Sequence, residues 1–182
     1  MVINLLNVIP YEQQSKGYCG PACLKMVLDY YGISKDEEEL AELTGCTPRH
    51  GISGEGLLEA AQYYGLEGKI QDNSTMEDLR DVVMDQKIPV IVDWFALMLD
   101  ENGYYSDGHY SVVVGLDTAN VYFIDPEIGQ QRSLKRRIFR RLWFDFFGDY
   151  LKDPDDLILR RMIVLYQQSA GSTPTPTING GV

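Results

Sequence analysis

The chain has 182 residues, of which 45% are hydrophobic and 24% are charged, a composition that excludes collagen-like and low-complexity proteins. Its 16 Lys and Arg residues stand against 27 Asp and Glu residues, and the net charge of −11 argues against general binding to nucleic acid or anionic membrane. Three cysteines are too few for a disulfide framework, and two histidines, His50 and His109, are the candidates for any chemistry that needs an imidazole.

One domain is expected over residues 1–167, followed by a disordered tail over residues 168–182. The tail is uncharged and rich in Ser, Thr, Pro and Gly, so it cannot bury enough apolar surface to offset its ordering entropy. No stretch approaches the roughly 20 apolar residues of a membrane span. Residues 1–10 lack the basic leading region of a secretory signal and predict a strand, which favours a cytoplasmic location and leaves a processed secreted form as the alternative.

The first half of the chain predicts helices. Pro21 lies in the first turn of the first helix, and Ser34 with Glu37 and Ser74 with Glu77 are potential capping boxes. Glycine stops follow the first and third helices. The predicted helices occupy residues 20–31, 34–43, 53–64 and 74–83.

The second half predicts mainly strands, since short β-branched runs alternate there with polar turns. A basic, aromatic helix is predicted over residues 133–147. Helices followed by an antiparallel sheet define an α+β fold, with the N-terminal helices packed on the C-terminal sheet. The predicted strands occupy residues 89–94, 109–114, 121–125 and 161–166.

The junction between loop and helix in residues 13–23 carries the first candidate chemistry. Cys19 lies where the loop enters the helix, at the positive end of the helix dipole, a position that stabilises a thiolate. Its backbone N–H is free to face a developing oxyanion, and the side-chain amide of Gln13 can supply a second donor. Together with Gly20 and Pro21, this spacing favours a nucleophile over a buried structural cysteine.

A thiolate nucleophile needs a base, and the second half of the chain offers His109. If the hairpin turn is centred near residue 117, His109 and Asp125 lie directly opposite each other on neighbouring strands. An aspartate there can hold the imidazole in the required tautomer and orientation. The pairing therefore favours a catalytic His109 over a histidine that only caps a strand.

Three segments with these residues resemble the papain-like bacteriocin-processing peptidases that remove double-glycine leaders, and their stand-alone relatives. The resemblance implies a cysteine peptidase with Cys19 as nucleophile, His109 as base, Asp125 as orienting residue and Gln13 in the oxyanion hole, Gln14 being the alternative to Gln13. It also implies a peptide or protein substrate, and it covers most of residues 10–145. The matching segments are residues 13–31, 108–115 and 121–129, extended by residues 56–61 and 88–92.

Two alternatives to peptide hydrolysis stay open. The first is acyl transfer or deamidation, which the same thiolate serves. The second, from another class, is a catalytically silent peptide-binding module. The best-known relatives are the heads of export transporters, whereas neither a membrane span nor an ATPase is visible here. Gly180-Gly181 in the tail is interpreted as incidental rather than as a self-processing site.

The remaining candidates are weaker. Cys23 is predicted to be a buried core thiol, and Cys46 and His50 lie in loops without metal-ligand spacing, so neither a metal nor any other cofactor is expected. Tyr104 and Tyr105 are candidates for lining a substrate groove. A cluster of basic residues is interpreted as the wet face of an amphipathic helix, with a docking surface for an acidic partner as the alternative. This cluster comprises Lys135, Arg136, Arg137, Arg140 and Arg141.

Overall fold

The computed structural model describes residues 4–49, 51–100, 103–146, 148 and 151–168. Within them the chain forms helices and an antiparallel sheet, as the α+β prediction requires. Helices α1–α5 are Cys19–Tyr30, Glu37–Thr44, Gly54–Tyr63, Met76–Arg80 and Arg136–Leu142. Strands β1–β8 are Glu67–Gln71, Val90–Asp100, Gly103–Leu116, Asn120–Asp125, Gln130–Lys135, Phe144–Phe146, Leu157–Leu159 and Met162–Tyr166. Residues 169–182 lie outside the described part, so the domain boundary and the tail stay predictions.

The first predicted helix, residues 20–31, is confirmed, since α1 differs from it by one residue at each end. Two predicted caps are wrong by one or two positions, because a second residue of the capping type lies that far along the chain in each case. Asp36 rather than Ser34 precedes α2. Thr75 rather than Ser74 caps α4, in a capping box with Asp78.

Six strands form the main sheet in the order β1–β8–β2–β3–β4–β5, with antiparallel pairing throughout. Strands β6 and β7 pair separately. The sheet is larger than predicted, because the polar, partly exposed strands β1 and β5 lack an apolar pattern. The helix predicted over residues 133–147 is wrong at both ends. Residues 130–135 pair with β4, and residues 144–146 belong to β6.

The segment predicted as an N-terminal strand has no regular structure over residues 4–10. A bulge between Val113 and Gly115 shifts the pairing of β3 with β4. The Leu6 N–H donates to the carbonyl of Val114, the residue within the bulge, at 2.8 Å. A methyl group at Gly115 would clash with the Leu5 side chain. The N-terminal segment therefore packs against the bulge instead of adding a strand.

Apolar cores lie on both faces of the sheet. Helices α1 and α3 cover one face, where Ile91 and Val112 are fully buried. On the other face, Val113 packs with Phe139 and Trp143 in and beside α5. The prediction of helices on the sheet is confirmed for α1 and α3, but α4 and α5 cover the opposite face. Packing on this sheet holds α1 against β3. It therefore determines the relative positions of the two elements that carry Cys19 and His109.

Candidate active site

Cys19 is the first residue of α1 and lines a cleft with a volume of about 730 Å³. The N–H groups of a first helical turn have no acceptor inside the helix, so the Cys19 N–H is available to a ligand. Gly20 is required by packing, since a methyl group there would clash with Ile52. Pro21 and Ala22 are buried and anchor this turn in the core. The thiol is thus held at a helix terminus, as the sequence predicts.

His109 lines the cleft and contacts the buried Asp125. The His109 Nε2 and Asp125 Oδ1 atoms are 2.7 Å apart, and the side chains are only 2% and 1% exposed. His109 is also hydrogen-bonded to Cys19. Because Nε2 faces the carboxylate, the other ring nitrogen, Nδ1, faces the thiol. The structure therefore brings together three of the four predicted site residues in one hydrogen-bonded chain.

The predicted register of the hairpin is wrong, although the predicted contact is present. Val112 faces Ile124 and Val113 faces Phe123, so a continued register would put Ser111 opposite Asp125. His109 is then a diagonal neighbour of Asp125 on the same face of the sheet, within reach of a long side chain. The sequence pattern locates the two strands but does not reveal the shift.

Electrostatics favour an ion pair between these two residues. Burial lowers the pKa of His109, but its hydrogen bonds to Asp125 and Cys19 and the charges of these groups outweigh burial and raise that pKa to about 10. Burial acts to raise the pKa of Asp125, but His109, Arg132 and the Glu127 N–H together hold it below its usual range. At neutral pH an imidazolium therefore lies between a carboxylate and the Cys19 sulfur.

Gln13 lines the same cleft, and its backbone N–H donates to the Pro126 carbonyl at 2.8 Å. Its Nε2 donates to the Ser15 carbonyl at 3.2 Å, while its Oε1 is buried without a partner among the described residues. Gln14 is placed differently, since its exposed Nε2 donates to the Tyr11 hydroxyl at 2.8 Å. Of the two glutamines, Gln13 is the one that shares the cleft with Cys19.

Sequence reasoning missed three residues around this site. Arg132 on β5 donates to Asp125 Oδ2. Asp93 and Asp145 line the cleft, and burial is the main cause that raises the pKa of both carboxyls. Asp93 could have been identified from the sequence, because it is a single charge inside the apolar run of β2, where burying an unpaired charge is costly.

The other predicted candidates lie at the margin or outside the cleft. Cys23 and Cys46 are buried free thiols, which confirms the prediction for Cys23. Tyr105 lines the cleft, and the Lys16 ammonium lies 4.5 Å from its ring centroid. His50 falls outside the described residues. In α5 the arginines 137, 140 and 141 are exposed around buried Phe139, as an amphipathic helix requires.

The described residues contain no cluster of three or more His, Cys, Asp or Glu side chains placed to hold a metal ion. Over the same part of the chain, none of the helices is both long and apolar enough to cross a membrane.

A thiol at a helix N-terminus, hydrogen-bonded to a buried histidine–aspartate pair on an α+β scaffold, is the arrangement of papain-like cysteine peptidases. The model of the peptidase C39 family matches residues 8–147. The chain therefore belongs to the peptidase C39 family and is a cysteine peptidase, and the resemblance to bacteriocin-processing peptidases is confirmed.

Two relatives are similar in sequence to this chain. An uncharacterized protein of Methanothermobacter thermautotrophicus is 34% identical over 131 residues, which cover 71% of this chain and 80% of that protein. The transport/processing ATP-binding protein ComA of Streptococcus pneumoniae is 31% identical over 127 residues. These residues cover 69% of this chain and only 16% of ComA. The similarity to ComA is thus confined to a small part of that transporter.

A solved structure supports the fold. It is the crystal structure of a double glycine motif protease from an AMS/PCAT transporter in complex with the leader peptide. The TM-score is 0.65 at 22% identity, and the match covers 92% of this chain and 100% of that one. The predicted papain-like α+β fold class is confirmed.

Proposed function

We propose that this cysteine peptidase hydrolyses peptide bonds through Cys19, His109 and Asp125, with Gln13 and the Cys19 N–H as oxyanion donors. The observation that carries the proposal is the hydrogen-bonded chain from Asp125 through His109 to Cys19 in the wall of an open cleft. A protonated His109 places a positive charge beside the sulfur, which is the usual way in which proteins activate a cysteine nucleophile.

The reaction proceeds in two steps. The Cys19 thiolate adds to the scissile carbonyl, and His109 transfers its proton to the leaving amine as the C–N bond breaks. Water then attacks the thioester, with His109 accepting a proton from the water, and Cys19 departs as thiolate while the acid product forms. Asp125 keeps the imidazole oriented in both steps, and it stabilises the imidazolium without taking its proton.

Two donors are assigned to the tetrahedral intermediate. The Cys19 N–H is one, and the Gln13 Nε2, which turns from the Ser15 carbonyl towards the oxyanion, is the other. Each donor of this kind stabilises the transition state by about 3 kcal/mol. The Gln13 backbone is well placed for this role, because its hydrogen bond to Pro126 ties it to the residue that follows Asp125.

The substrate class is a peptide or protein. The complex of the solved double glycine motif protease with its leader peptide makes a peptide that contains two consecutive glycines followed by further residues the first substrate to try. A cytoplasmic location and the absence of a nucleic-acid partner stay predictions from the sequence.

Labelling with a panel of peptide electrophiles, mapped by mass spectrometry, tests the proposal. Cys19 should be modified, whereas Cys23 and Cys46 should not, because both are buried. Product analysis with an added amine separates hydrolysis from acyl transfer. If the folded protein is not labelled at Cys19 and cleaves no peptide, the chain is a silent binding module and the proposal fails.

A further inference from the structure

Two acidic side chains line the cleft next to the strand that carries His109. Asp93 on β2 faces Tyr110 across the pairing of β2 with β3. Asp145 on β6 packs against Gly108, where a methyl group would clash with the carboxylate. Both acids therefore adjoin the strand residues that immediately flank the histidine, and both line the cleft.

The two carboxyl groups are hydrogen-bonded to each other, which requires that they share a proton. Burial, reinforced by the neighbouring Asp145, raises the pKa of Asp93 well above its usual range. When one proton is shared, the pair retains a single negative charge. Asp93 is 2% exposed, so this charge is held largely away from water.

One polar atom of the pair has no partner. Asp93 Oδ1 is buried and accepts no hydrogen bond from the residues that the structure describes. Arg161 is the cation whose charge acts on both carboxyls, but its guanidinium binds other acids. Its Nε and Nη2 bind Asp72 at 2.8 and 2.9 Å, and its Nη1 lies 3.3 Å from Glu55.

An unpartnered buried acceptor is costly, and it is common where a ligand completes the hydrogen bonding. The group that satisfies this acceptor must donate an N–H or O–H. A cation suits the site better than a neutral donor, because it also compensates the charge of the pair.

We propose that Asp93 and Asp145 form an acidic subsite of the catalytic cleft that binds a cationic group of the peptide substrate. The source is a Lys or Arg side chain or the free α-ammonium of the peptide. On binding, the cation donates to the unpartnered Asp93 Oδ1, and its positive charge compensates the single negative charge of the pair, which keeps its shared proton. The inference rests on the proposed function in that it takes a peptide to be the occupant of this cleft.

The experiment uses a positional-scanning library of hexapeptides, in N-acetylated and free-amine forms. Cleavage by the wild-type protein and retention of intact peptide by Cys19→Ala are both measured by mass spectrometry. We expect Lys and Arg to be preferred at one position, or the free-amine form to be preferred throughout. The two forms of the library thus separate a side chain from the α-ammonium.

Asp93→Asn and Asp145→Asn should each reduce the preference for the cationic group about tenfold or more. The matched control is Asp155→Asn, an exposed acid that does not line the cleft. Its preference should stay within about twofold of wild type. Asp145→Asn decides the question if Asp93→Asn does not fold, since Asp145 is the less buried of the two.

The inference is overturned if the wild-type protein shows no preference for a cationic group. It is equally overturned if the preference survives in the folded Asn variants. A third outcome separates the two proposals. If no peptide is cleaved but the protein still retains peptides with a cationic group selectively, the role of Cys19 in peptide hydrolysis is overturned and the acidic subsite is supported.

Discussion

Cys19 and His109 reach the same point of the cleft from regions that are built in different ways. Cys19 belongs to a segment of contiguous residues, in which Gly20 and Pro21 set the start of α1 and the buried face of the helix fixes its position. His109 depends on contacts between strands, because Asp125 on β4 and Arg132 on β5 position it from residues distant in the chain. Substitutions in the first region should therefore act locally, while those in the second should act through the orientation and charge of the imidazole.

The largest effect is expected for Cys19→Ala, in the region around the start of α1. Loss of the nucleophile should lower kcat by about 10⁵-fold or more, while the melting temperature should change little because Cys19 is half-buried at the edge of the core. Peptide hydrolysis and thermal unfolding are the measurements.

Cys46→Ser is the matched control, since the Cys46 thiol is buried and donates to the Gly17 carbonyl. It should retain most of the activity. Appreciable turnover by Cys19→Ala would remove Cys19 from the mechanism.

The next largest effect is expected in the strand region, for Asp125→Asn. The imidazole should lose its orientation, and kcat should fall by about 10³- to 10⁴-fold. His109 has a raised pKa, so the imidazolium persists until the pH approaches about 10. Since Asp125 contributes to that elevation, its replacement should move the alkaline limb of the pH–rate profile to lower pH. An unchanged rate and profile would contradict the role of Asp125.

These two regions also differ in how far the sequence predicts them. The helix that starts at Cys19 follows from Pro21, the apolar spacing and Gly32, all of which act within a few residues. The contact between His109 and Asp125 is correct, but its register is not, because Leu116 pairs with Val121 and the turn is centred between residues 118 and 119 rather than at 117. The bulge between Val113 and Gly115 then shifts the pairing back by one residue, and Gly115 indicates it, since glycine inside a strand often marks a bulge.

Pairing between strands explains the larger errors in the predicted helices and strands. Residues 130–135 carry no apolar alternation and are recruited as β5 by pairing with β4, which shortens the predicted helix. Asp145 lies in the segment mistaken for the end of that helix, so its meeting with Asp93 was not foreseeable from periodicity. Local patterns thus predict elements, while the partners of a strand depend on the whole chain.

Gln13 provides a sharper test of the local region. Gln13→Ala should remove one oxyanion donor and lower kcat by about 10²- to 10³-fold, with a smaller effect on KM. Gln14→Ala is a natural control, because the Gln14 side chain contacts Tyr11. It should behave nearly as wild type. The reverse result would assign the oxyanion donor to Gln14.

The smallest effect is expected for Arg132 in the strand region. Arg132 donates to Asp125 but is 38% exposed, so solvent screening weakens its influence, and Arg132→Gln should lower kcat by only about threefold. Its charge helps to hold the pKa of Asp125 below the usual range. Loss of the guanidinium should therefore raise that pKa, and the acid limb of the pH–rate profile should move to higher pH.

Arg132→Lys separates charge from packing in this last prediction. Lysine keeps the positive charge but lacks the planar fork of the guanidinium, so it should restore the position of the acid limb more fully than the rate. A positioning role for Arg132 requires that shift. If Arg132→Gln lowers the melting temperature while the pH profile stays fixed, Arg132 only links β5 to β4, and the orientation of His109 rests on Asp125 alone.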